Sequence, residues 1–418
     1  MKKRQNRILL CLCHLSGNEQ KFVQEAFDTN WVVPLGPNVN GFEKDLEEFV
    51  GQNKRVVALS AGTAAVHLAL LNCDVRPGDE VCVQSFTFCA SSHPITYLGA
   101  TPVFIDSEKD TWNMDPELLE EAIKDRIAKT GKKPKAIVPV ALYGMPYKMD
   151  RIMEIANKYE IPVVEDAAEG FGSKYKGQVL GSFGKYGVLS FNGNKMITTS
   201  GGGALVTAND DEWREIMMYA TQYRESYPYY QHEKIGYNYR MSNICAGIGR
   251  GQMTIVNEHI AHHKHVQKLY EELLKDVKGI TVHSQPATGE YDSNYWLCTM
   301  TIDPDVKVKG QENAYKQVIT GAVGGAAGVV HAASSAITDC QPNDNVEAMR
   351  MGLDALNIES RPLWKPMHKQ PVYKNAPAYI NGVSEGLFKV GMCLPAGPYV
   401  TEDDVRFIVD AIKSLIIA

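Results

Sequence analysis

A lysine in a glycine-rich loop is the residue of this sequence best suited to act as a nucleophile. Lys195 follows an apolar run and lies in Ser190-Phe-Asn-Gly-Asn-Lys-Met-Ile-Thr-Thr-Ser-Gly-Gly-Gly203. An amine that attacks a carbonyl group must be neutral, and partial desolvation among dipoles favours that form. The alternative is an exposed loop lysine, which fits less well because the surrounding sequence is apolar and rich in glycine.

An aspartate precedes this lysine by 29 residues. In Val163-Val-Glu-Asp-Ala-Ala-Glu169, Asp166 closes an apolar stretch that is typical of a buried strand. A carboxylate at the end of a strand can pair with a protonated heteroaromatic nitrogen or with a metal ion. It can equally cap the helix that follows, so this motif alone leaves both roles open.

A third motif is suited to an anion. Ser60-Ala-Gly-Thr63 stands between a strand-like run and the apolar helical stretch Ala64–Leu71. Backbone N–H groups at a helix N-terminus, beside a glycine and a hydroxyl group, form a site for phosphate. Gly62 and Thr63 also fit an ordinary turn and helix cap, so this motif is weak on its own.

Together the three motifs match the needs of pyridoxal 5'-phosphate. The helix N-terminus would bind the phosphate group, the aspartate would keep the ring nitrogen protonated, and the lysine would bond to the aldehyde. Phe88, in Gln84-Ser-Phe-Thr-Phe-Cys-Ala90, offers an aromatic face on which the ring could stack. The combination therefore predicts a pyridoxal-phosphate site far more strongly than any single motif.

Composition excludes several other classes of protein. The chain has 418 residues, enough for two or three domains, of which 44% are hydrophobic and 22% charged, as in globular proteins. Its net charge of −6 argues against a chain that coats nucleic acid or an anionic membrane. The nine cysteines lie mostly in apolar runs without the spacing of a zinc site. We therefore expect buried thiols, no metal centre and a cytoplasmic protein.

The first half of the chain alternates β-rich apolar runs with amphipathic stretches, which predicts an α/β fold with a mainly parallel sheet. Ligands bind beyond the carboxyl ends of the strands in such sheets. The clearest helix begins after an Asp115 cap, with Pro116 in its first turn. The strand candidates are Val56–Leu59, Glu80–Val83, Pro102–Ile105, Ala136–Val140, Pro162–Glu165, Gly187–Phe191 and Ala204–Thr207.

The C-terminal part predicts a smaller α+β domain. A long stretch without proline, from Asn243 to about Val277, predicts a single helix, and strands are expected at Gly279–His283 and Trp296–Ile302. Gly321–Ile337 consists almost wholly of small residues. We do not expect it to cross a membrane, because a histidine and two serines interrupt it.

The order of these motifs resembles the DegT/DnrJ/EryC1/StrS family of nucleotide-sugar aminotransferases, which are fold-type I pyridoxal-phosphate enzymes. The resemblance covers nearly the whole chain and implies a mainly parallel seven-stranded sheet in a large domain plus a smaller α+β C-terminal domain. It implies an N-terminal arm over 1–30, a cofactor-binding domain over 31–255 and a small domain over 256–418. The motifs that carry the resemblance are Gly17-Asn-Glu-Gln20, Pro34-Leu-Gly-Pro37, Ser60-Ala-Gly-Thr-Ala-Ala65, Tyr143-Gly144, Glu165-Asp-Ala-Ala168, Ser190-Phe-Asn-Gly-Asn-Lys195 and Ser360-Arg-Pro-Leu-Trp-Lys-Pro-Met-His368.

The same resemblance implies roles for individual residues. Lys195 would bond covalently to the cofactor, Asp166 would pair with its pyridine nitrogen, and Glu169 would lie near its phenolic oxygen. The other implied cofactor-binding residues are Gly62, Thr63 and Ser190 at the phosphate, Phe88 on the ring, and Asn238, which the second subunit of a homodimer would donate to the phosphate. Arg361 and His368 are the substrate-binding candidates, with a structural ion pair as the alternative role of Arg361.

The implied reaction moves an amino group from L-glutamate to a keto group, at C4, of a nucleotide-diphosphate-linked 4-keto-6-deoxy sugar. A sugar dehydratase on the same scaffold is an alternative. In the dehydratase branch of the family that this chain resembles, however, the position of Lys195 is occupied by histidine. A catalytically silent regulatory binding protein is a second alternative, although the chain lacks a basic segment for DNA recognition. One departure from the family is Cys11-Leu-Cys-His14, where relatives carry Ser-Pro or Pro-Pro.

Overall fold

A computed structural model of the protein describes residues 2–315 and 340–417. The helices in this part of the chain are α1 (Glu19–Asp28), α2 (Pro37–Val50), α3 (Gly62–Asn72), α4 (His93–Tyr97), α5 (Pro116–Thr130), α6 (Met149–Tyr159), α7 (Asp210–Ala220), α8 (Asn243–Met253), α9 (Val256–Leu274), α10 (Asp344–Ala355), α11 (Val383–Val390) and α12 (Glu402–Leu415). The strands of the N-terminal half are β1 (Arg55–Leu59), β2 (Glu80–Gln84), β3 (Thr101–Ile105), β4 (Ala136–Val138), β5 (Val164–Asp166), β6 (Lys174–Tyr175), β7 (Gln178–Val179), β8 (Tyr186–Ser190) and β9 (Gly203–Thr207). Those that follow are β10 (Ile280–Val282), β11 (Tyr291–Asp292), β12 (Cys298–Ile302), β13 (Lys307–Val308), β14 (Arg361–Pro362), β15 (Ala378–Tyr379), β16 (Gly391–Leu394) and β17 (Ile416–Ile417).

Seven strands form the large sheet, in the order β1-β9-β8-β5-β4-β2-β3. Parallel bridges from Ile137 to Val163 and from Val140 to Asp166 join its two halves. β9 runs antiparallel to β1 and to β8, whereas the other neighbouring strands are parallel. Each strand predicted between Arg55 and Thr207 is present, and the predicted α/β fold with a mainly parallel sheet is confirmed.

Alternate residues of each central strand pack on opposite faces of this sheet, as the period of a β-strand requires. Val56 and Ala58 belong to one buried apolar cluster, whereas Val57 and Leu59 belong to the other. Helices cover both faces, so the strands are buried on both sides. Such covering explains why the strands appear in the sequence as continuous apolar runs.

The predicted capping of α5 is confirmed. The Asp115 carboxylate accepts hydrogen bonds from the backbone N–H groups of Glu117 at 2.9 Å and Leu118 at 3.3 Å. Pro116 occupies the first helical position, where no backbone N–H is needed. The helix ends before Gly131, whose φ of +70° is the left-handed conformation typical of a helix C-terminus.

The single helix predicted from Asn243 to Val277 is wrong, because this stretch forms α8 and α9. The break lies at Thr254, whose hydroxyl donates to the Gly251 carbonyl at 2.6 Å and accepts from Nδ2 of Asn18 at 3.0 Å. A side chain that bonds to its own helix in this way competes with the regular backbone pattern. The residue types around position 254 do not indicate this break, because threonine, unlike proline, does not prevent a helix from continuing.

A third buried cluster lies in the C-terminal part, between α9, α10, α12 and the small antiparallel sheet β10-β12-β16-β14. Apart from Ile8, this cluster lies within the range expected for the small domain, and the division into an arm (1–30), a large domain (31–255) and a small domain (256–418) stays a prediction. The boundary between the large and small domains is not sharp, because β15, which lies in the range of the small domain, pairs with β3 at the edge of the large sheet. Ile8 of the arm also packs in the third cluster and bridges to Ile358.

Across residues 2–315 and 340–417, no helix combines the length and the apolar character that a bilayer span needs. The small-residue segment Gly321–Ile337 lies outside the described residues.

Candidate active site

The carboxyl ends of β5 and β8 open onto a cavity of about 420 Å³. Asp166 is the last residue of β5 and Ser190 the last of β8, and α3 begins shortly after β1 ends. The parallel sheet therefore brings the three predicted motifs to one edge. The predicted site residues that line the cavity are Gly62, Thr63, Phe88, Asp166, Glu169, Ser190 and Lys195.

The Lys195 side chain is 13% exposed, which excludes the alternative of an exposed loop lysine. Its Nζ lies 3.5 Å from Oε1 of Glu169 and 4.1 Å from the centre of a Trp296 ring. Its backbone N–H donates to the Asn192 carbonyl at 2.9 Å, which closes a turn directly after β8. The amine is thus held between a carboxylate and an aromatic face, both of which attract its protonated form.

The Asp166 carboxylate is buried and held from two sides. Oγ of Ser91 donates to Oδ2 at 2.6 Å, and the backbone N–H of Ala168 donates to Oδ1 at 3.1 Å. Burial raises the pKa of this carboxyl, and the bond from Ser91 opposes the rise. Within the described residues Asp166 has no ion-pair partner at 4.0 Å or less. A protonated ring nitrogen would supply the positive charge that this buried carboxylate lacks.

The Glu169 carboxylate is buried and lines the same cavity. Its Oε2 accepts a hydrogen bond from the backbone N–H of Tyr143 at 2.6 Å. Tyr143 has a φ of +52°, an uncommon conformation for a residue other than glycine, and this conformation accompanies the contact. Burial raises the pKa of Glu169 to about 7, with the nearby charge of Lys195 opposing the rise. Glu169 is therefore poised to change its charge near neutral pH.

The first turn of α3 lies where the sequence predicts the anion site. No side chain caps this helix, so its first N–H groups are not engaged by a cap. A Cβ atom at Gly62 would lie 3.1 Å from Cβ and 3.3 Å from Oγ of Ser190, so glycine keeps the space above the helix end open. The hydroxyl groups of Thr63 and Ser190 line this space. The site therefore offers backbone and hydroxyl donors to a phosphate group.

Phe88 and Trp364 form the aromatic side of the cavity. Their ring centres are 5.4 Å apart, and both residues line the cavity. The Phe88 ring is 54% exposed, so one of its faces is available to a ligand. This arrangement is compatible with the predicted stacking of Phe88 on a cofactor ring.

Three predicted site residues do not line this cavity. Asn238 is exposed and forms a bridge with Thr221. Arg361 forms an ion pair with Glu359 at 3.2 Å. His368 is half-buried, and its Nδ1 is hydrogen-bonded to Oγ of Ser85 at 2.6 Å.

Sequence reasoning missed Ser91 and Trp296. Neither stands in a motif that suggests chemistry, and Trp296 lies about a hundred positions after the lysine that it faces. Tyr143 and Trp364 belong to motifs that carried the family resemblance, but no role had been assigned to them. The structure shows that the backbone N–H of Trp364 donates to Oη of Tyr143 at 2.9 Å.

The donor set of the cavity fits pyridoxal 5'-phosphate. The predicted anion site, a buried carboxylate without an ion-pair partner among the described residues, an amine and an aromatic face surround one space. These groups correspond to the phosphate, ring nitrogen, aldehyde and ring of the cofactor. The residues that would hold it are Gly62, Thr63, Ser190, Asp166, Phe88 and Lys195.

Comparison with known proteins gives consistent results. A sequence profile of the DegT/DnrJ/EryC1/StrS aminotransferase family matches residues 14–324 and 311–413. EpsN of Bacillus subtilis, provisionally named a pyridoxal phosphate-dependent aminotransferase, is 41% identical over 98% of this chain and 96% of its own length. GDP-perosamine synthase of Caulobacter vibrioides is 34% identical over 98% of this chain and 99% of its own. The crystal structure of a DegT DnrJ EryC1 StrS aminotransferase from Brucella abortus superposes with a TM-score of 0.80 at 27% identity, covering 95% of both chains.

Proposed function

This chain belongs to the DegT/DnrJ/EryC1/StrS aminotransferase family, and from that premise we propose that it aminates a nucleotide-linked sugar. The amino group comes from L-glutamate, and the acceptor is the C4 keto group of a nucleotide-diphosphate-linked 4-keto-6-deoxy sugar. The observation that carries the proposal is the convergence of Lys195, Asp166 and the N-terminus of α3 on one cavity. The likeness to a GDP-perosamine synthase supports a nucleotide sugar. The resemblance of Asn194–Gly203 and Arg361–His368 to family members that act at C4 supports the position.

Pyridoxal 5'-phosphate, when bound, supplies an aldehyde that carries the migrating amino group and a ring that accepts electrons. The N–H groups of the first turn of α3, with Thr63 and Ser190, bind the phosphate. Asp166 keeps the proton on the ring nitrogen, and Ser91 and Ala168 hold its carboxylate in place.

Lys195 moves the proton that transamination requires. Its neutral Nζ removes a proton from the carbon that bears the amino group of the donor and later delivers one to the sugar carbon that is aminated. Glu169, 3.5 Å away, orients the protonated form of Nζ between these transfers. The small exposed fractions of the two side chains, 13% for Lys195 and 3% for Glu169, limit the access of water to the transfer.

The active unit in this proposal is a cytoplasmic homodimer with shared sites. Asn238 lies outside the cavity of its own chain and is exposed, so it is available to a second subunit. The preceding loop exposes Tyr230 by 75% and Ile235 by 85%, an apolar surface that a partner would cover. Two-fold symmetry then gives two equivalent sites per dimer.

The test uses the purified protein with pyridoxal 5'-phosphate, L-glutamate and a panel of nucleotide-linked 4-keto and 3-keto sugars. We expect 2-oxoglutarate to form with 4-keto-6-deoxy sugars, and Lys195→Ala to abolish it. Lys185→Ala is the matched control, because Lys185 lies beside β8 but its Nζ faces Glu212, 3.9 Å away, outside the cavity. If only 3-keto sugars are aminated, the reaction takes place at C3 rather than at C4. Loss of a sugar hydroxyl group without 2-oxoglutarate would favour the dehydratase.

A further inference from the structure

The segment Ser293–Trp296, between β11 and β12, contacts two loops of the active site although it comes from the C-terminal part of the chain. We propose that Asn294 is a positioning residue that joins the Glu169 loop to the Lys195 loop and so fixes the distance between their side chains. This inference rests on the roles proposed above for Lys195 and Glu169.

Asn294 uses its whole amide group within the protein. The residue is fully buried, and its Nδ2 donates to the Glu169 carbonyl at 2.8 Å and to the Phe171 carbonyl at 3.0 Å. Its backbone N–H donates to Oγ of Ser173 at 2.8 Å. Three contacts therefore fasten it to the five residues that begin at Glu169, which limits the directions in which the Glu169 side chain can leave the backbone.

The opposite end of the same segment reaches the lysine. Oδ1 of Asn294 accepts from the backbone N–H of Trp296 at 2.8 Å. The indole Nε1 of Trp296 donates to the Asn194 carbonyl at 2.6 Å, and its ring faces Nζ of Lys195. One buried amide therefore connects the residue before the lysine to the backbone of the glutamate.

The backbone at Gly144 leaves the space that the Asn294 side chain occupies. Its φ is +94°, and a Cβ atom there would lie 1.9 Å from Oδ1 of Asn294. The hydroxyl groups of Ser173 and Ser293 both donate to the Gly144 carbonyl, at 2.6 and 3.0 Å. Gly144 directly follows Tyr143, whose N–H holds the Glu169 carboxylate, so the network around Asn294 surrounds the glutamate on both sides.

Asn294→Asp tests this role. Aspartate keeps the size of the side chain and an acceptor for Trp296, but it has no N–H to give to the two carbonyl groups. Asn345→Asp is the matched control: Asn345 is also buried, its Nδ2 also donates to two carbonyl groups, of Asp303 and Val306, and it does not line the cavity. Both holoenzymes would be compared with wild type in thermal midpoint, in kcat and KM for an amino donor that the wild type accepts, and in the visible circular dichroism of bound pyridoxal phosphate.

We expect both variants to lose thermal stability, and only Asn294→Asp to lose activity. Its kcat should fall about tenfold or more with KM changed less than about threefold, because a small displacement of reacting groups costs rate more than binding. Its circular dichroism band should also weaken, since the cofactor no longer sits in one fixed orientation. If Asn294→Asp matches Asn345→Asp in kcat and in the dichroism band, the proposal is overturned.

Ser173→Ala covers the case in which Asn294→Asp does not fold. It removes one acceptor from Asn294 and one donor to Gly144, so a loss of kcat of about threefold with a weakened band is expected. Unchanged values in Ser173→Ala would contradict the inference. A wild-type protein that binds no pyridoxal phosphate, or reacts with no amino donor, would instead refute the proposed function, so the two failures are distinguishable.

Discussion

Nζ of Lys195 lies 3.5 Å from Oε1 of Glu169, whose side chain is 3% exposed, and the Lys195 side chain is itself only 13% exposed. The two residues follow β8 and β5, which are parallel neighbours, so one strand pairing brings their loops together. Because burial raises the pKa of Glu169 to about 7, the charge of this pair changes near neutral pH, where an ordinary glutamate stays ionised.

Glu169→Gln should make the stability of the cofactor-free protein less dependent on pH. The pKa of Glu169 rises from 4.5 in the unfolded chain to about 7 in the folded protein, so the folded state binds more protons across this window. The contribution of Glu169 to stability therefore falls as pH rises from 4.5 to about 7, whereas the glutamine variant lacks this pH-dependent loss. We expect the variant's advantage to grow from near zero to on the order of 3 kcal/mol.

Urea unfolding at several pH values between 4 and 8 measures this difference. Glu121→Gln, at an exposed position of α5, gives the baseline for removing a surface carboxylate. A difference between wild type and Glu169→Gln that stays constant over the whole range would show that Glu169 does not titrate near neutrality.

Asp166→Asn should lower turnover about 100-fold, in line with about 3 kcal/mol of transition-state stabilisation. Asparagine keeps the size of the side chain but cannot hold the ring nitrogen in its protonated state. Glu165→Gln is the control, because Glu165 is equally buried but accepts only structural bonds, from the backbone N–H groups of Gly181, Phe183 and Gly184. We expect it to cost about 1–3 kcal/mol of unfolding free energy with turnover largely kept. Near-normal turnover in Asp166→Asn would refute the role of Asp166.

Asn238→Ala should weaken retention of pyridoxal phosphate without abolishing turnover. A subunit carrying this change still has Lys195, and a Lys195→Ala subunit still has Asn238. If sites are shared, mixing the two variants under conditions of subunit exchange restores one native site in each mixed dimer. Cofactor retention and activity of the mixture should then exceed the average of the two variants measured separately, whereas without shared sites they should equal it. A fully active monomer in sedimentation would contradict the shared site.

Arg361→Ala should raise KM for at least one substrate and leave the absorption of the bound cofactor unchanged. The guanidinium group is about one-third exposed and touches Glu359 on one side, so part of its donor set remains available to a diphosphate or carboxylate group. Arg361→Lys keeps the charge but not the planar fork and should recover only part of the affinity. The outcome that favours the structural ion pair is a lower thermal midpoint with both KM values unchanged.

The sequence was informative wherever a contact is local or follows a short period. The alternation of the strands and the cap at Asp115 depend on neighbours within a few positions, and both were predicted correctly. The helix break at Thr254 was missed because its hydroxyl group bonds both to the Gly251 carbonyl of its own helix and to Asn18, more than two hundred positions away. Propensity carries no information about such partners.

The same distinction applies to the site. The residues at strand ends could be predicted because parallel sheets gather their ligands there. Ser91 and Trp296 could not, since each contacts a partner that is remote in sequence and neither belongs to a recognisable motif. Apolar tryptophans and buried serines are common in any core, so only the fold shows which of them touches a reactive group.

The pairing of β15 with β3 has a consequence for self-association. β3 is the last strand of the large sheet, and Ala378 and Tyr379 lie against its outer edge, with the Pro377 carbonyl accepting from Phe104 at 2.9 Å. An unpaired β-strand edge is a template onto which another chain can add. Two residues contributed from far along the chain thus cover part of the β3 edge, and the sheet ends in a two-residue strand that is too short to be a good template for addition of a second molecule.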